Sequence, residues 1–396
     1  MTTPQAVLNF STSRTPLDPK VEQEWDKRGF YQVGPHKHYS KLHAIMASQQ
    51  TGHYPYWNFN DELFGQYDWT VEPEESLTSL YKRRAQQLRD KYDYLVLSYS
   101  SGSDSTNMLH SFLFNGIPID DVICYGPFST NQGRQNLNRD PEYNYREIDL
   151  LAIPYLQELS KKYNFKVTMY DWTNDVATQY KDTDWVWTQV SHRFAPSIVA
   201  RNRMHMQPQH LNLVDRGFKV GFVFGIDKPR IVLKDNNYWC GFIDLCTSMS
   251  VGPGGSMTGN VWENDEYFYW TPDLPELTIK QAHLMMRFFE THPLLKAYIQ
   301  DADLMSWPWL EEYYDIVKRV CYPTFNAEIF QTWKVRNGTL SENDNWFIKN
   351  SDLPAARIWR AGLDEVQSVI DPNWLIGGTI LNGLVGAWSR MYALTK

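Results

Sequence analysis

The stretch Tyr94-Leu-Val-Leu-Ser-Tyr-Ser-Ser-Gly-Ser-Asp-Ser-Thr106 decides how this chain is read, because an apolar, β-prone run passes directly into a turn of small residues. Beyond the turn, Met108, Leu109, Phe112 and Leu113 recur at helical spacing, so the unit is a buried strand, a loop and an amphipathic helix. Ser100, Ser101, Gly102 and Ser103 carry side chains small enough for backbone N–H groups to approach an anion, and Asp104-Ser105 opens a helix whose N-terminal dipole favours negative charge. A phosphate cradle is the functional reading. The same residues also fit a serine-rich helix start with Ser103 or Asp104 as the N-cap and no ligand.

Working outward, Glu74 to Lys91 reads as a helix, acidic at its start and basic at its end. Asn115-Gly116 stops the helix after the turn, and Asp121 to Gly126 reads as a second buried strand. Tyr145 to Tyr163 is helical with Pro154 kinking it or starting a second helix, and Phe165 to Trp172 is a third strand. Alternating strands and helices predict a parallel sheet covered by helices, with ligands at the C-terminal ends of the strands. Tyr99, Tyr125 and Asp171 or Trp172 would share that edge, and the loops there are the expected place for adenine and ribose.

A second constellation follows in Lys219 to Arg230, where an apolar run ends in Gly225-Ile-Asp-Lys-Pro229. Glycine at a strand end permits close backbone approach, and Asp227 beside Lys228 offers a metal ligand next to a phosphate-binding cation. The plain alternative is a β-turn with Pro229 fixing φ and both charges solvated. Lys234-Asp-Asn-Asn237 marks a hairpin, read as an addition to the same sheet. Arg134, Arg139 and Arg146 in a long polar loop, and His192, Arg193, Arg201, Arg203 and His205 farther on, are candidate phosphate or carboxylate contacts or simply solvated charges. Residues 251–259 are glycine-rich and read as a lid or a connector.

Ser100-Ser-Gly-Ser-Asp-Ser105 resembles the Ser-Gly-Gly-x-Asp-Ser loop of the PP-loop ATP pyrophosphatases, with Ser101 in place of the first glycine. Were that position to need a positive φ, serine there would be strained. The resemblance spans residues 92–230. It implies an α/β fold with a HUP-like, adenine nucleotide alpha-hydrolase-like parallel-sheet core. It also implies ATP and Mg2+ as cofactors: a substrate oxygen attacks the α-phosphorus, pyrophosphate leaves, and an amine or ammonia captures the adenylate. On this likeness Ser100, Asp104 and Lys228 would be catalytic, and Asp104 and Asp227 would hold the metal. Ser98, Tyr99, Ser100, Ser101, Gly102, Ser103, Asp104, Ser105, Tyr125, Gly225, Asp227 and Lys228 would bind nucleotide. No Gly-Lys-Ser/Thr follows the turn and no G-x-G-x-x-G stands at this strand end, so Walker-type and Rossmann sites are not indicated.

Asp61-Glu-Leu-Phe-Gly65 looks like the acidic motif of asparagine synthetase but precedes the turn instead of following it, and is read as coincidence. Cys124, Cys240, Cys246 and Cys321 have no C-x-x-C spacing, which argues against a structural zinc and against thiolating enzymes. Sulfonucleotide reductases resemble this loop too, but Cys321 in Arg319-Val-Cys-Tyr-Pro323 does not match their motif. Residue 2 is Thr, so an ammonia-donating partner, free ammonia or an amine substrate would replace an N-terminal glutaminase cysteine.

The expected function is therefore an AMP-forming ligase acting on a small-molecule or nucleobase acceptor. A non-catalytic ATP- or AMP-binding protein and a reductase-like enzyme are the alternatives. The net charge of −8 argues against general nucleic-acid binding, and no apolar run of about 18 residues suggests a membrane span, so a cytoplasmic protein is expected. The organisation read from the chain is an N-terminal extension over 1–73, an ATP-binding α/β domain over 74–270 and a mainly helical region over 271–396. Within the last, Leu375 to Leu394 reads as a buried closing helix preceded by a turn.

Overall fold

Residues 26–60, which show little periodicity, form a small antiparallel sheet in the computed structural model. In it β1 (Phe30–Val33) pairs with β2 (His36–His38) and β3 (Tyr56–Asn58) around the helix α1 (Lys41–Thr51), capped by Ser40. The structure describes residues 26–126, 147–172, 207–244, 265–300, 317–324 and 354–396, with positions 23, 128, 184–187, 194 and 326. The loop arginines 134, 139 and 146, the basic group from His192 to His205 and the glycine-rich 251–259 lie outside the described residues.

The helix α2 (Leu77–Lys91) starts three residues later than its sequence predicts, where Ser76 accepts from the Ser79 N–H, so Glu74 and Glu75 precede it and its first turn holds no acid; it closes as expected, with Arg89 and Lys91 in its last turn. It delivers the chain into β4 (Tyr94–Ser98), then the turn, α3 (Ser103–Leu113) and β5 (Asp121–Gly126). A π-helical turn over 147–152 precedes α4 (Ile153–Tyr163), so Pro154 begins a helix where its missing N–H is harmless. There follow β6 (Lys166–Asp171), α5 (Pro208–Asp215) and β7 (Val220–Phe224). Leu95, Val96, Leu97 and Val223 are fully buried, each contributing about 1.5–3 kcal/mol of apolar burial, as expected for strands covered on both faces.

After β7 come β8 (Arg230–Lys234) and β9 (Asn237–Gly241), joined through Asp235 and Asn236, both at positive φ, the signature of a two-residue type I′ turn. They are not an addition to the parallel sheet. With β11 (Tyr392–Ala393) at the chain's far end they make a separate antiparallel sheet. The strand that does extend the parallel sheet is β10 (Asp265–Tyr267), which pairs with β7. Two long helices follow, α6 (Pro275–Glu290), which packs on α2, and α7 (Pro354–Val369). Leu375–Leu394 is not a helix: it forms two short 3-10 turns, Ile376–Gly378 and Ile380–Asn382, before β11, because Gly377, Gly378 and Gly383 all take positive φ.

The fold is thus mixed α/β around a five-stranded sheet in the order β10-β7-β4-β5-β6, every neighbouring pair parallel. The aromatic excess is largely structural. Phe59, Phe64 and Trp270 surround Phe242, with ring centroids 4.8–5.0 Å away, and Trp69 stacks on Tyr392 at 4.4 Å, tying the three sheets into one core. No helix among the described residues is long and apolar enough to cross a membrane.

Candidate functional site

Counted along the chain, the parallel strands are ordered 3-2-1-4-5, so the order reverses between β4 and β7. Ligands of open α/β sheets occupy the crevice at the C-terminal strand ends where such a reversal occurs. β4 leads there into Tyr99–Gly102 and β7 into Gly225–Pro229, so the two constellations singled out in the sequence meet at one place.

The N-cap of α3 is Gly102, with extended backbone (φ −71°, ψ 163°) and no side chain to offer, which sets aside Ser103 and Asp104 as caps. The first-turn N–H groups of Ser103, Asp104 and Ser105 have no acceptor within the helix. Hydroxyls shape the turn from inside. Ser105 Oγ and Thr106 Oγ1 donate to the Gly102 carbonyl at 3.1 and 2.9 Å, the Ser100 N–H donates to Ser105 Oγ at 3.3 Å, and Tyr99 Oη lies 3.2 Å from Thr106 Oγ1. Ser100 is exposed, whereas Ser101, Ser103 and Ser105 are buried. Ser101 sits at φ +64°, the left-handed conformation that glycine tolerates and serine adopts at a cost.

Gly225 makes its close approach to the polypeptide. A Cβ there would come within 3.2 Å of the Asp104 carbonyl carbon and the Ser105 nitrogen, so glycine lets the end of β7 lie against the first turn of α3. That contact brings Asp227 and Lys228 to the turn. Lys228, 1% exposed, donates to Asp104 Oδ1 and pairs with Asp227 Oδ1 at 3.1 Å, while Arg230 lies 3.9 Å from Asp227 Oδ2. Burial alone would pull the ammonium down; Asp104 and Asp227 outweigh it and hold Lys228 above the ordinary lysine value. These are buried, paired charges, not the solvated ones of a plain β-turn.

Two tyrosines that no motif flagged complete the cluster. Tyr322, just after a helical stretch over 317–321, donates its hydroxyl to Asp104 Oδ1 and accepts from Lys228 Nζ at 3.1 Å. Tyr269, two residues beyond β10, donates to the Asp104 carbonyl at 2.8 Å and accepts from Asn107 Nδ2 at 3.0 Å. Burial pushes both phenols well above the ordinary tyrosine value, so they act as neutral donors. Their only advance signal was the aromatic excess. Cys321 lies in the same neighbourhood, fully buried, and burial pushes its thiol up to about 12.

Ser98 closes β4, and Tyr125 stands half-buried at the end of the neighbouring β5, so both share the predicted edge. Asp61 lies elsewhere. Its carboxylate accepts from Tyr56 and from Tyr392 at 3.4 Å, fastening β11 to the N-terminal sheet. A cleft beside β10, lined by Lys91, Glu266, Trp270 and Asp273, includes none of the turn residues.

Among the described residues, no three His, Cys, Asp or Glu side chains gather to hold a metal ion, and magnesium that arrives with a nucleotide needs no such cage. Asp104 fits the smaller task. A third of its side chain is exposed, and both of its carboxylate hydrogen bonds among the described residues fall on Oδ1. No family model, curated protein or solved structure matches this chain.

Proposed function

We propose that this chain is an ATP-dependent, AMP-forming ligase of the PP-loop ATP pyrophosphatase kind, built on a HUP-like core. The observation that carries the reading is the meeting, at the reversal of strand order, of an uncapped helix start with the Asp104–Lys228–Asp227 cluster. Free N–H groups at a helix start favour phosphate, and a preset arrangement of donors and charge is what α-phosphate chemistry requires.

In this reading the N–H groups of Ser103 to Ser105 and the exposed Ser100 hydroxyl hold the β- and γ-phosphates. The acceptor oxygen attacks the α-phosphorus, the bond to the bridging oxygen breaks, and pyrophosphate leaves with the charge that the turn stabilises. Magnesium, bound with ATP, supplies further neutralisation of that charge. Lys228 contributes through its grip on Asp104 and through its field, since it is enclosed by carboxylates. An amine or ammonia then captures the adenylate on a small-molecule or nucleobase acceptor.

The enclosure of Lys228 favours a second reading, a protein that binds ATP or AMP without turning it over. A reductase-like enzyme draws no support from Cys321, whose thiol is buried and held protonated. Incubation with α-labelled ATP, Mg2+ and candidate acceptors tests the proposal. AMP and pyrophosphate that vanish in Asp104→Ala support the ligase, tight ATP binding without turnover supports the binding protein, and ADP with phosphate overturns the proposal.

A further inference from the structure

We infer that Tyr322 is a positioning residue that sets Asp104 as a one-oxygen ligand for the nucleotide's magnesium; this rests on the nucleotide reading of the site. The Tyr322 hydroxyl and the Lys228 ammonium both donate to Asp104 Oδ1, and they bond to each other at 3.1 Å, so three groups close a ring around a single oxygen. Tyr269 holds the same residue by its carbonyl at 2.8 Å. Asp104 is therefore fixed at backbone and side chain. Oδ2 is left for the ligand side, where a third of the side chain meets solvent.

Asp227 is differently disposed. Its Oδ1 faces Lys228 at 3.1 Å and its Oδ2 faces Arg230 at 3.9 Å, with only 11% of the side chain exposed, so it balances the charge of the two buried cations. Magnesium keeps several waters and takes one or two carboxylates when it arrives on phosphates, which one oriented oxygen satisfies. Removing the Tyr322 hydroxyl leaves Asp104 charged but able to turn, and turning disperses the oxygen that should face the metal.

The test measures binding in the whole chain without turnover, using Mn2+ read by electron paramagnetic resonance in the presence of the non-hydrolysable analogue α,β-methylene-ATP. Analogue affinity is measured separately in EDTA. Tyr322→Phe is expected to weaken Mn2+ by about threefold to tenfold, part of the worth of a hydrogen bond to a charged carboxylate because Lys228 still holds Oδ1, with metal-free analogue affinity unchanged. Asp104→Asn is expected to weaken Mn2+ further. Equal Mn2+ affinity in Tyr322→Phe and wild type, or an equal loss of metal-free and metal-bound affinity, overturns the inference while leaving the nucleotide reading intact. A wild-type chain that binds no analogue overturns both. Should the phenylalanine variant not fold, Tyr322→His, whose donor has a different reach, is judged by the same ratio.

Discussion

Gly225 and Asp104 touch through their backbones, so that a Cβ on the glycine would stand 3.2 Å from the carbonyl carbon of the aspartate. Neither backbone can yield as a flexible side chain would. Gly225→Ala is expected to push β7 and α3 apart, destabilising the protein by about 1–3 kcal/mol. Urea midpoints measure the first effect, and nucleotide titration of the folded variant should show weakened binding. Unchanged midpoint and affinity would mean that the strand end and the helix start are not in fixed register.

Ser101 supplies a test of opposite sign. Its φ of +64° strains a serine and suits a glycine. Ser101→Gly is expected to stabilise by about 1 kcal/mol, the relief of strain exceeding the added freedom of the unfolded chain. A rise in the urea midpoint at unchanged slope is the readout, and a fall would show that the turn does not strain its serine.

Lys228 neutralises two carboxylates from a buried position, its own side chain 2% exposed. Lys228→Met leaves Asp104 without its cation and Asp227 with Arg230 alone, at 3.9 Å, and is expected to cost about 3–5 kcal/mol, with part regained in the double variant with Asp227→Asn. Thermal and urea denaturation of the single and double variants measure the coupling. Additive losses would show that the lysine and the aspartate do not act as a pair.

Acid stability should report on Glu266. Burial would raise its carboxyl, but Arg84, bonded at 2.9 Å, and Lys91, at 2.5 Å, outweigh it and hold the group at about 2. The folded value lies below the ordinary 4.5, so the stabilisation is complete above that pH and is lost as pH falls toward 2. Over that window wild type should lose roughly 3 kcal/mol more than Glu266→Gln. Parallel pH dependences in the two proteins would contradict the assignment.

Cys321, though beside the site, should behave as an inert core thiol. With its thiol pushed up to about 12, iodoacetamide at pH 8 is expected to leave it unmodified in the native protein and to label it in urea. Peptide mapping by mass spectrometry assigns the label. Rapid native labelling of Cys321 would bring a thiolate mechanism back into consideration.

The parts of the fold legible in the sequence are those whose signals are local. β4, β5 and β7 are continuous apolar runs, α2 carries one apolar face and a basic last turn, and the Asp235-Asn236 turn states its hairpin. β10 was not legible, because Asp265-Glu266-Tyr267 is short and acidic. Its burial depends on Arg84, far away in the chain, which bonds both Glu266 and the Tyr267 carbonyl. Leu375–Leu394 misled because composition reads as a helix where three glycines adopt positive φ. The turn and the Gly225–Lys228 segment both stand out in the sequence, yet what Gly225 touches is the helix start. Tyr269 and Tyr322 were missed because nothing near them in sequence distinguishes them from the core aromatics.

The Asp104–Tyr322 contact spans 218 positions of chain, the Asp104–Tyr269 contact 165 and the Asp104–Lys228 contact 124. Contacts of such separation form slowly, since a long loop must close before any of them is rewarded. During synthesis, the strand, turn and α3 emerge well before the groups that grip Asp104. A nascent chain short of residue 322 therefore carries the motif without the clamp, and on the proposed function nucleotide binding should mature in the last kinetic phase of folding, after the sheet has formed.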